Sequence, residues 1–487
     1  MAAIETKVTQ APDQTQKPRD RAYRRGFDSL NQEIAIDRLP LGGKLPDWLQ
    51  GTLVRTGPAR YEVGGRTYRH WFDGLAMLHS FAFTGGNVSY RNRFLHSQAY
   101  EAATHEGRIS YSEFATDPCR SIFKRVTSVF DPQITDNGNV NVSRIAGHYV
   151  AMTETPLPVE FDRESLDTAG VFDYDGDKHQ VHHTTAHPHY DGATREAFNY
   201  FAHFSRVSSY NVYRVAGESG RRQVFGRASV KEPGYIHSFG LTENYFVLVE
   251  FPYVVNPLNL LFSGKPFIEN FEWKPEKPAR FLVFRRSDGG LQAEVESDAF
   301  FAFHHVNAYE DGDAVQVDIA AYDDASIVKS LYLDVLRGSD SPWRASSQLR
   351  RYTVPLGGGR AKATVISDQS IELPRINYAF NGRDYSTAYF AGLDPADPGD
   401  FLNRLVKIDV RTGATKTWSE NGCYPGEGVF VAAPDAKAED DGVLLSVVLD
   451  TRQSSFLLVL DAASFKEIAR AAVPHVIPFG FHGQYFR

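Results

Sequence analysis

Short runs of alternating apolar and polar residues, separated by turns rich in Gly, Asp and Asn, make up most of the chain from about residue 50. Such alternation is typical of β-strands. Strands are predicted at 148–154, 199–204, 245–251, 280–285, 314–321, 331–336, 349–354, 405–410, 443–449 and 456–460. Because these strands do not alternate with helices, the pattern predicts an all-β fold. A closed β-propeller suits 487 residues, since it leaves no long sheet edge unprotected, but the pattern does not give the number of blades.

The first 26 residues are polar and lack a continuous apolar core, so residues 1–26 are predicted to be a flexible tail and not a signal peptide. No proline- or serine-rich linker interrupts the rest, and residues 27–487 are predicted to form a single domain. No apolar run reaches the roughly 20 residues that span a bilayer, so a cytoplasmic location follows by default.

The composition excludes several kinds of site and partner. Two cysteines, Cys119 and Cys423, are too few for a disulfide framework or a zinc–thiolate site, so a metal would be held by nitrogen and oxygen. The net charge of −8 and the lack of a basic stripe argue against a nucleic-acid partner. Aromatic residues make up 13% of the chain, a surplus that suits an enzyme with a large apolar substrate.

The segment FFAFHHVNAYED at 300–311 places two histidines side by side in an aromatic strand. Because successive side chains of a strand point to opposite faces, His304 should share a face with Ala302 and Val306. Only one of His304 and His305 can then point at a given centre. We predict that His304 is a metal ligand.

Three more histidines occupy similar places, at the ends of apolar strands. His187 lies in TTAHPHYD, His237 in GYIHSFG and His482 in PFGFHGQYF. The inner strands of a propeller surround its axis, so residues from distant parts of the sequence can converge there. Four neutral imidazoles suit iron, copper, zinc or nickel, and the scarcity of thiolates favours iron(II) over structural zinc.

Three glutamates lie in apolar surroundings where a solvated charge is not expected. Glu154 is in VAMTETP, Glu372 in SIELPRIN and Glu427 in YPGEGVFV. A ligating histidine usually donates its other ring N–H to a carboxylate or a carbonyl group. We therefore interpret these glutamates as partners that orient the histidines. For each glutamate taken alone, an exposed strand position is the alternative.

These motifs resemble those of a known family. TAHPH, YIHSFGLT, FHHVNAYED and FHG, in this order, are similar to the four iron–histidine motifs of the carotenoid cleavage oxygenases. HWFDGLAMLHSF, TDPCRSIF, TETP, ELPRINY and EDDGVLLSVV resemble stretches of the animal-type branch, which includes the central carotene-cleaving oxygenases and the retinal pigment epithelium isomerohydrolase. The resemblance extends over nearly the whole chain from about Gly51. It implies a seven-bladed β-propeller with iron(II) on its axis, under a dome of loops and short helices.

The resemblance also implies roles for individual residues. It assigns iron ligation to His187, His237, His304 and His482. It implies that Glu154 supports His237, Glu372 supports His304 and Glu427 supports His482, while His187 lacks a carboxylate partner.

Further positions of the resemblance concern the substrate. Tyr235, Phe481 and Thr153 match positions that line the family's substrate tunnel near the iron. Val140 falls where many members carry a small side chain, and valine there resembles the isomerohydrolase.

The sequence therefore predicts a non-haem iron(II) dioxygenase that splits a C=C double bond of a carotenoid or apocarotenoid, at the central bond, giving retinal-type aldehydes. Its partners would be that substrate and dioxygen. Two alternatives keep the scaffold and the iron: a retinoid isomerohydrolase, and an oxygenase that cleaves stilbenes or phenylpropanoids. A third belongs to another class: a non-catalytic propeller that serves as an interaction scaffold.

Carotenoids dissolve in membranes, so peripheral, monotopic membrane contact is predicted through two segments. Residues 120–130 show helical periodicity, with Lys124 and Arg125 beside an apolar face. Residues 251–267 are strongly apolar but interrupted by prolines, and a buried loop over the core is an equal alternative for them. The resemblance favours membrane contact for both segments, and Cys119 is a candidate for lipidation.

Overall fold

Antiparallel strands dominate the computed structural model, which describes residues 21–117, 134–175, 179–192, 194–338 and 346–487. They form seven sheets of four to six strands that surround an axis as the blades of a β-propeller, and this confirms the predicted fold. Alternating burial along the strands explains the sequence pattern. In β7 (Asn87–Phe94), for example, buried and half-buried residues alternate throughout.

The first three blades contain these strands: β1 (Ala35–Ile36), β3 (Gly51–Arg60), β6 (Leu75–Thr84), β7 and β36 (Gly483–Phe486) in blade one; β8 (Asn141–Ile145), β9 (His148–Met152), β10 (Val159–Phe161) and β11 (Thr168–Val171) in blade two; β12 (His183–Thr184), β13 (His189–Asp191), β14 (Glu196–His203), β15 (Ser208–Ala216) and β16 (Arg222–Val230) in blade three.

The next three blades contain β17 (Gly240–Leu241), β18 (Tyr245–Glu250), β21 (Ala279–Arg285) and β22 (Leu291–Ser297) in blade four; β23 (Phe301–Asp311), β24 (Ala314–Tyr322), β25 (Gln348–Pro355) and β26 (Lys362–Ser367) in blade five; β27 (Ile371–Ile376), β28 (Thr387–Gly392), β29 (Arg404–Asp409) and β30 (Thr415–Trp418) in blade six.

Blade seven contains β2 (Leu41–Gly43), β31 (Cys423–Pro425), β32 (Val429–Ala432), β33 (Gly442–Asp450), β34 (Ser455–Asp461) and β35 (Glu467–Ala472). Two small ribbons, β4 (Glu62–Val63) with β5 (Arg66–Thr67) and β19 (Tyr253–Val255) with β20 (Phe271–Trp273), lie outside the blades. The described α-helices are Gln98–Glu106, Pro257–Phe262, Ser326–Ser330 and Leu333–Leu336, and the described 3-10 helices are Ala22–Phe27, Trp71–Asp73, Phe267–Asn270 and Tyr378–Phe380.

Strands from both ends of the chain close the ring. β36, the last strand, pairs with β3 and becomes the inner strand of blade one. β2, near the start, pairs with β35 at the outer edge of blade seven. The first and last blades are thus each completed by the opposite end of the chain, which holds the inner strands at fixed distances around the axis.

Four of the inner strands are irregular: two are broken and two shift register. β12 and β13 both pair with β14, and β31 and β32 both pair with β33, so each pair is one inner strand with a break. β23 shifts register on both sides of His305, and β27 shifts register between Glu372 and Arg375. A bulge leaves a residue out of the ladder and re-aims its side chain.

Long connections at one end of the blades form a dome, which comprises residues 61–74, 251–278, 323–338 and 393–403. Glu269 joins three of these connections, because its carboxylate lies 2.7 Å from the Arg69 guanidinium and accepts a hydrogen bond of 3.2 Å from the Tyr332 hydroxyl.

The predicted strand at 331–336 is wrong, because this stretch belongs to the dome and ends in the helical turn Leu333–Leu336. The amides of Val335 and Leu336 both donate to the Tyr332 carbonyl, and the buried leucines suit a turn as well as a strand.

The predicted tail is too long at its C-terminal end. Residues 22–27 form a 3-10 helix in which Tyr23 and Phe27 are fully buried, and both rings pack against Phe401 at 5.6 and 5.3 Å. The sequence did not reveal this buried segment, because Arg21, Arg24 and Arg25 make the stretch look polar. Residues 1–20 lie outside the described residues.

The two predicted membrane segments differ in what the structure shows. Residues 120–130, together with Cys119, lie outside the described residues. In 251–267, β19 is buried, whereas the helix Pro257–Phe262 exposes Leu258 and Phe262, at 57% and 74% of their surface. Within the described ranges, no helix combines the length and the apolar character needed to cross a bilayer.

Candidate metal centre

Four histidines from four blades meet on the propeller axis. One ring nitrogen from each of His187, His237, His304 and His482 lies within 4.8 Å of the others. The Nε2 atoms of His187 and His237 are 3.1 Å apart, as are those of His304 and His482. The structure thus brings together the complete set of histidines that the sequence singled out.

Each histidine sits where an inner strand starts or is interrupted. His187 lies in the break between β12 and β13, and His304 lies in the bulged part of β23. His237 and His482 shortly precede β17 and β36. Freed from the regular ladder, these side chains turn towards the axis and not along the face of a blade.

Buried carboxylates hold three of the rings. Glu154 Oε1 lies 2.6 Å from His237 Nδ1, Glu372 Oε2 lies 2.5 Å from His304 Nδ1, and Glu427 Oε1 lies 2.7 Å from His482 Nδ1. No carboxylate among the described residues is seen to pair with His187, whose amide donates to Thr185 Oγ1 at 2.9 Å.

The carboxylates are themselves fixed by groups that sequence reasoning missed. The Tyr322 hydroxyl donates to Glu372 Oε1 at 2.8 Å, and the Arg375 Nε lies 2.8 Å from Glu427 Oε1. Tyr322 gave no signal, since it ends an ordinary strand. Arg375 had one: it follows Glu372 by three residues in the motif ELPRIN.

Leu373 adopts a left-handed backbone conformation, with φ of 52°, beside the bulge in β27. Its amide donates to Glu372 Oε2 at 3.0 Å. A left-handed conformation costs a non-glycine residue about 1 kcal/mol. The strained residue lies where the backbone turns Glu372 towards His304. This location indicates that the bulge serves the site.

Burial and charge determine the protonation of the site. Burial lowers the pKa of His187 and His237, and lowers the pKa of His482 to about 4. Burial acts to raise the pKa of Glu427, but Arg375 and His482 outweigh it and lower this pKa to about 2. At neutral pH, the His482 ring is therefore neutral, and its Nδ1–H points at the buried, charged carboxylate of Glu427. Metal ligands must be deprotonated in this way.

The donor set fits a cation. Because the Nδ1–H of His304 and that of His482 are donated to carboxylates, their Nε2 atoms carry lone pairs and face each other at 3.1 Å. Two acceptors at this distance repel each other unless a cation lies between them. Four imidazole nitrogens suit iron, copper, zinc or nickel, and the carboxylates behind them favour a positive charge.

A small apolar cavity borders the histidines on the side of the dome. His237, His304 and His482 form part of its wall together with Glu372, and the rest is almost entirely apolar: Trp71, Phe72, Val140, Phe303, Tyr322, Ile327, Leu331, Leu373, Leu402 and Phe481. Phe303 and His304 both border it, so the strict alternation assumed for this strand is wrong. The bulges in β23 put neighbouring residues on one side.

The residues predicted to line the substrate tunnel are placed differently. Val140 and Phe481 line the cavity, and the Val140 carbonyl accepts from the His482 amide at 3.2 Å. Tyr235 is fully buried, and its hydroxyl donates to Glu154 at 2.9 Å. Tyr235 and Thr153 are not among the described residues that line this cavity.

The profile of the family described as retinal pigment epithelial membrane protein (RPE65) matches residues 27–487. The chain belongs to this family. The match covers all seven blades, the dome and the four histidines, as the resemblance in the sequence implied.

Named relatives of the family are similar over nearly their whole length. The mitochondrial carotenoid-cleaving dioxygenase of Macaca fascicularis is 36% identical, covering 91% of this chain and 90% of the relative. The human β,β-carotene 15,15′-dioxygenase is 33% identical, covering 93% and 92%. Among solved structures, a chimera of ACO and RPE65 superposes with a TM-score of 0.86 at 25% identity, covering 96% of this chain and 98% of the chimera.

Replacing Glu427 by Gln should reveal its depressed pKa in metal-free protein. A carboxylate with a pKa of about 2 in the folded state and about 4.5 unfolded contributes stability above pH 4.5 that is lost as the pH falls towards 2. We expect Glu427→Gln to lower the free energy of unfolding by about 3 kcal/mol at pH 7, with a smaller difference at pH 3.5.

Denaturant unfolding with a chelator present, at both pH values, measures this difference. The exposed Glu243 provides the control, since Glu243→Gln should leave stability unchanged at either pH. A Glu427→Gln effect of equal size at both pH values would contradict the assignment.

Proposed function

We propose that this protein is a non-haem iron(II) dioxygenase that cleaves a C=C double bond of a carotenoid or apocarotenoid, at the central bond, to give retinal-type aldehydes. The observation that carries the proposal is the convergence of four histidine nitrogens in the wall of an apolar cavity. Relatives that are 33–36% identical and bear the names of carotenoid dioxygenases support this class of reaction.

The four histidines would hold the iron, and iron(II) would supply the redox chemistry that activates dioxygen. The chain's own contribution is to keep the ligands neutral and correctly aimed. Glu154, Glu372 and Glu427 fix which ring nitrogen carries the proton, and Tyr235 acts by orienting Glu154. None of these groups needs to transfer a proton to the substrate.

The cavity wall would position the polyene. Phe303 and Phe481 each precede a histidine ligand by one residue, so the wall and the ligands share one backbone. The ring of Phe72 lies 5.8 Å from that of Phe303 and 5.0 Å from that of Phe481. Such a wall excludes water, holds a rigid hydrocarbon beside the histidines and stabilises positive charge that develops on it.

Isotope labelling tests the reaction class. We expect aerobic incubation of iron-loaded protein with β-carotene and with apocarotenals to yield retinal-type aldehydes, identified by mass. With ¹⁸O₂, a dioxygenase places labelled oxygen in both aldehydes. An isomerohydrolase, the alternative that Val140 suggested, would instead convert a retinyl ester without taking up labelled dioxygen. Products only from stilbenes would contradict the carotenoid assignment.

Substitution of neighbouring histidines separates the enzyme from a non-catalytic scaffold. His304→Ala should abolish both iron binding and turnover, because a ligand from the set of four is lost. His305→Ala is the matched control: His305 bonds to Ser238 Oγ at 2.8 Å instead, and this variant should retain iron.

In the same series, Glu372→Gln should weaken iron binding about 10- to 100-fold, since it withdraws the acceptor of the His304 ring proton. Metal analysis and product formation are measured on the same samples. Full turnover by iron-free His304→Ala would contradict the proposed role of the site.

Peripheral membrane contact is part of the proposal, since the substrate class dissolves in lipid. In the described residues it is supported by Leu258 and Phe262, which the helix Pro257–Phe262 presents to solvent on the dome, at the end of the molecule that covers the cavity. A partly buried Leu260 anchors the same helix to the core. Contact through 120–130, lipidation of Cys119 and the cytoplasmic location stay predictions.

Charged substitutions on this helix test the contact. Burying a leucine or phenylalanine contributes about 1.5–3 kcal/mol. Leu258→Asp with Phe262→Asp should therefore reduce co-sedimentation with phospholipid vesicles by at least about tenfold. Val365→Asp is the control, since Val365 is 51% exposed but lies on the outer strand of blade five. Equal vesicle binding by both proteins would refute the contact.

A further inference from the structure

A second cavity approaches the histidines from the end of the propeller opposite the dome. This axial channel is open to solvent and takes lining residues from all seven blades. About half of its wall is polar, far more than in the apolar cavity, and Ser143, Ser238, His305 and Arg375 are among the side chains that face it. The apolar cavity and the axial channel thus meet at one histidine cluster.

The four histidines do not face the two compartments equally. His237 lines the apolar cavity, His187 lines the axial channel, and His304 and His482 border both. His187 is not among the described residues that line the apolar cavity. It is also half-buried where the other three are buried, and no carboxylate among the described residues is seen to hold its ring.

We propose that the axial channel is the path by which iron(II) reaches and leaves the histidine cluster, with His187 the last ligand to bind and the first to release. The proposal rests on the proposed function in that these histidines bind iron(II). It separates two routes: the metal passes through the solvent-filled axial channel, and the carotenoid enters through the apolar cavity.

The chemistry of a hydrated cation supports this separation. An iron(II) ion in water carries a tightly held shell, and an apolar passage offers nothing to replace it, so crossing the dome side costs the full desolvation of a charge. Side-chain hydroxyls, amides and imidazoles in the channel can replace water molecules in steps. The exchange would end at His187, the ring with the fewest restraints on its rotation.

Charges at the mouth of the channel allow the route to be tested. Arg144 and Arg195 are exposed and line the channel, so they repel an approaching cation. Converting them to glutamate changes the field along this route more than in the apolar cavity, which these side chains do not line. Electrostatic steering changes association rates about 10- to 1,000-fold in strongly charged clefts, and the effect falls with ionic strength.

The experiment measures iron(II) loading and release under anaerobic conditions, by stopped-flow mixing of metal-free protein with ferrous salt and by transfer from loaded protein to a chromophoric chelator. We expect Arg144→Glu with Arg195→Glu to accelerate loading about tenfold at low salt, with little effect in high salt. Arg144→Glu is also measured alone; its matched control is Arg227→Glu, an exposed change on β16 away from the channel, which should have no effect.

Steric blocks test the same route independently. Ser143→Trp in the channel should slow loading and release by a similar factor, about tenfold, because a barrier on the path changes both rates and leaves the affinity nearly unchanged. Leu402→Trp in the apolar cavity should leave both rates unaltered. Melting curves check that each variant is folded. If a tryptophan variant is unfolded, the arginine variants alone test the route.

The outcomes separate the two proposals. If the arginine and Ser143 substitutions leave the loading rate unchanged, or if Leu402→Trp lowers it instead, the channel route is wrong. Iron binding by the histidines would still stand. If the unaltered protein takes up no iron(II), the proposed function itself fails.

Discussion

The pairing of β36 with β3 is the constraint on which the rest of the structure depends. Each of the four histidines comes from a different blade, so their mutual distances are set by the ring and not by any local motif. β36 closes that ring and carries His482 into the centre just before the strand begins. Closure of the ring and assembly of the histidine cluster are therefore linked: a ring that opened at this seam would lose its shape and one of the four histidines together.

Departures from regular β-structure provide the site. His187 and Glu427 lie in breaks of inner strands, and His304 and Glu372 lie beside register shifts. A regular ladder would aim these side chains into the blades on either side, where the cores are apolar. The bulges give up some ladder hydrogen bonds, and Leu373 accepts backbone strain, so that the side chains can point along the axis.

Sequence reasoning succeeded where a residue type was out of place. A histidine at the end of an aromatic strand and a glutamate in an apolar stretch both suggest that the side chain has a polar partner. The structure brings each glutamate to one of the histidines. The strands were predictable because a two-residue period fits a strand that buries one face more deeply than the other, as β7 does. The number of blades came only from the resemblance.

What escaped prediction depends on contacts between residues that are far apart in the sequence. Arg375 was not singled out because its value comes from the Glu427 carboxylate, 52 residues further along the chain. The anchor at Tyr23 needs Phe401, and the helical turn at Leu333–Leu336 needs the dome above the cavity. The alternation rule failed in β23, because a bulge is invisible in a pattern of residue types.

On the proposed routes, the same geometry would let one centre receive both a metal ion and a long hydrocarbon. A cluster on the axis of a ring necessarily has two open sides, one at each end of the blades. Here the dome covers one side with aromatic and aliphatic residues, while the other side opens to solvent through a channel whose wall is about half polar. An ion and a long hydrocarbon have opposite solvation demands, and no single passage satisfies both. A closed ring solves this conflict without moving parts, because its two ends can be lined independently while the histidines between them stay fixed.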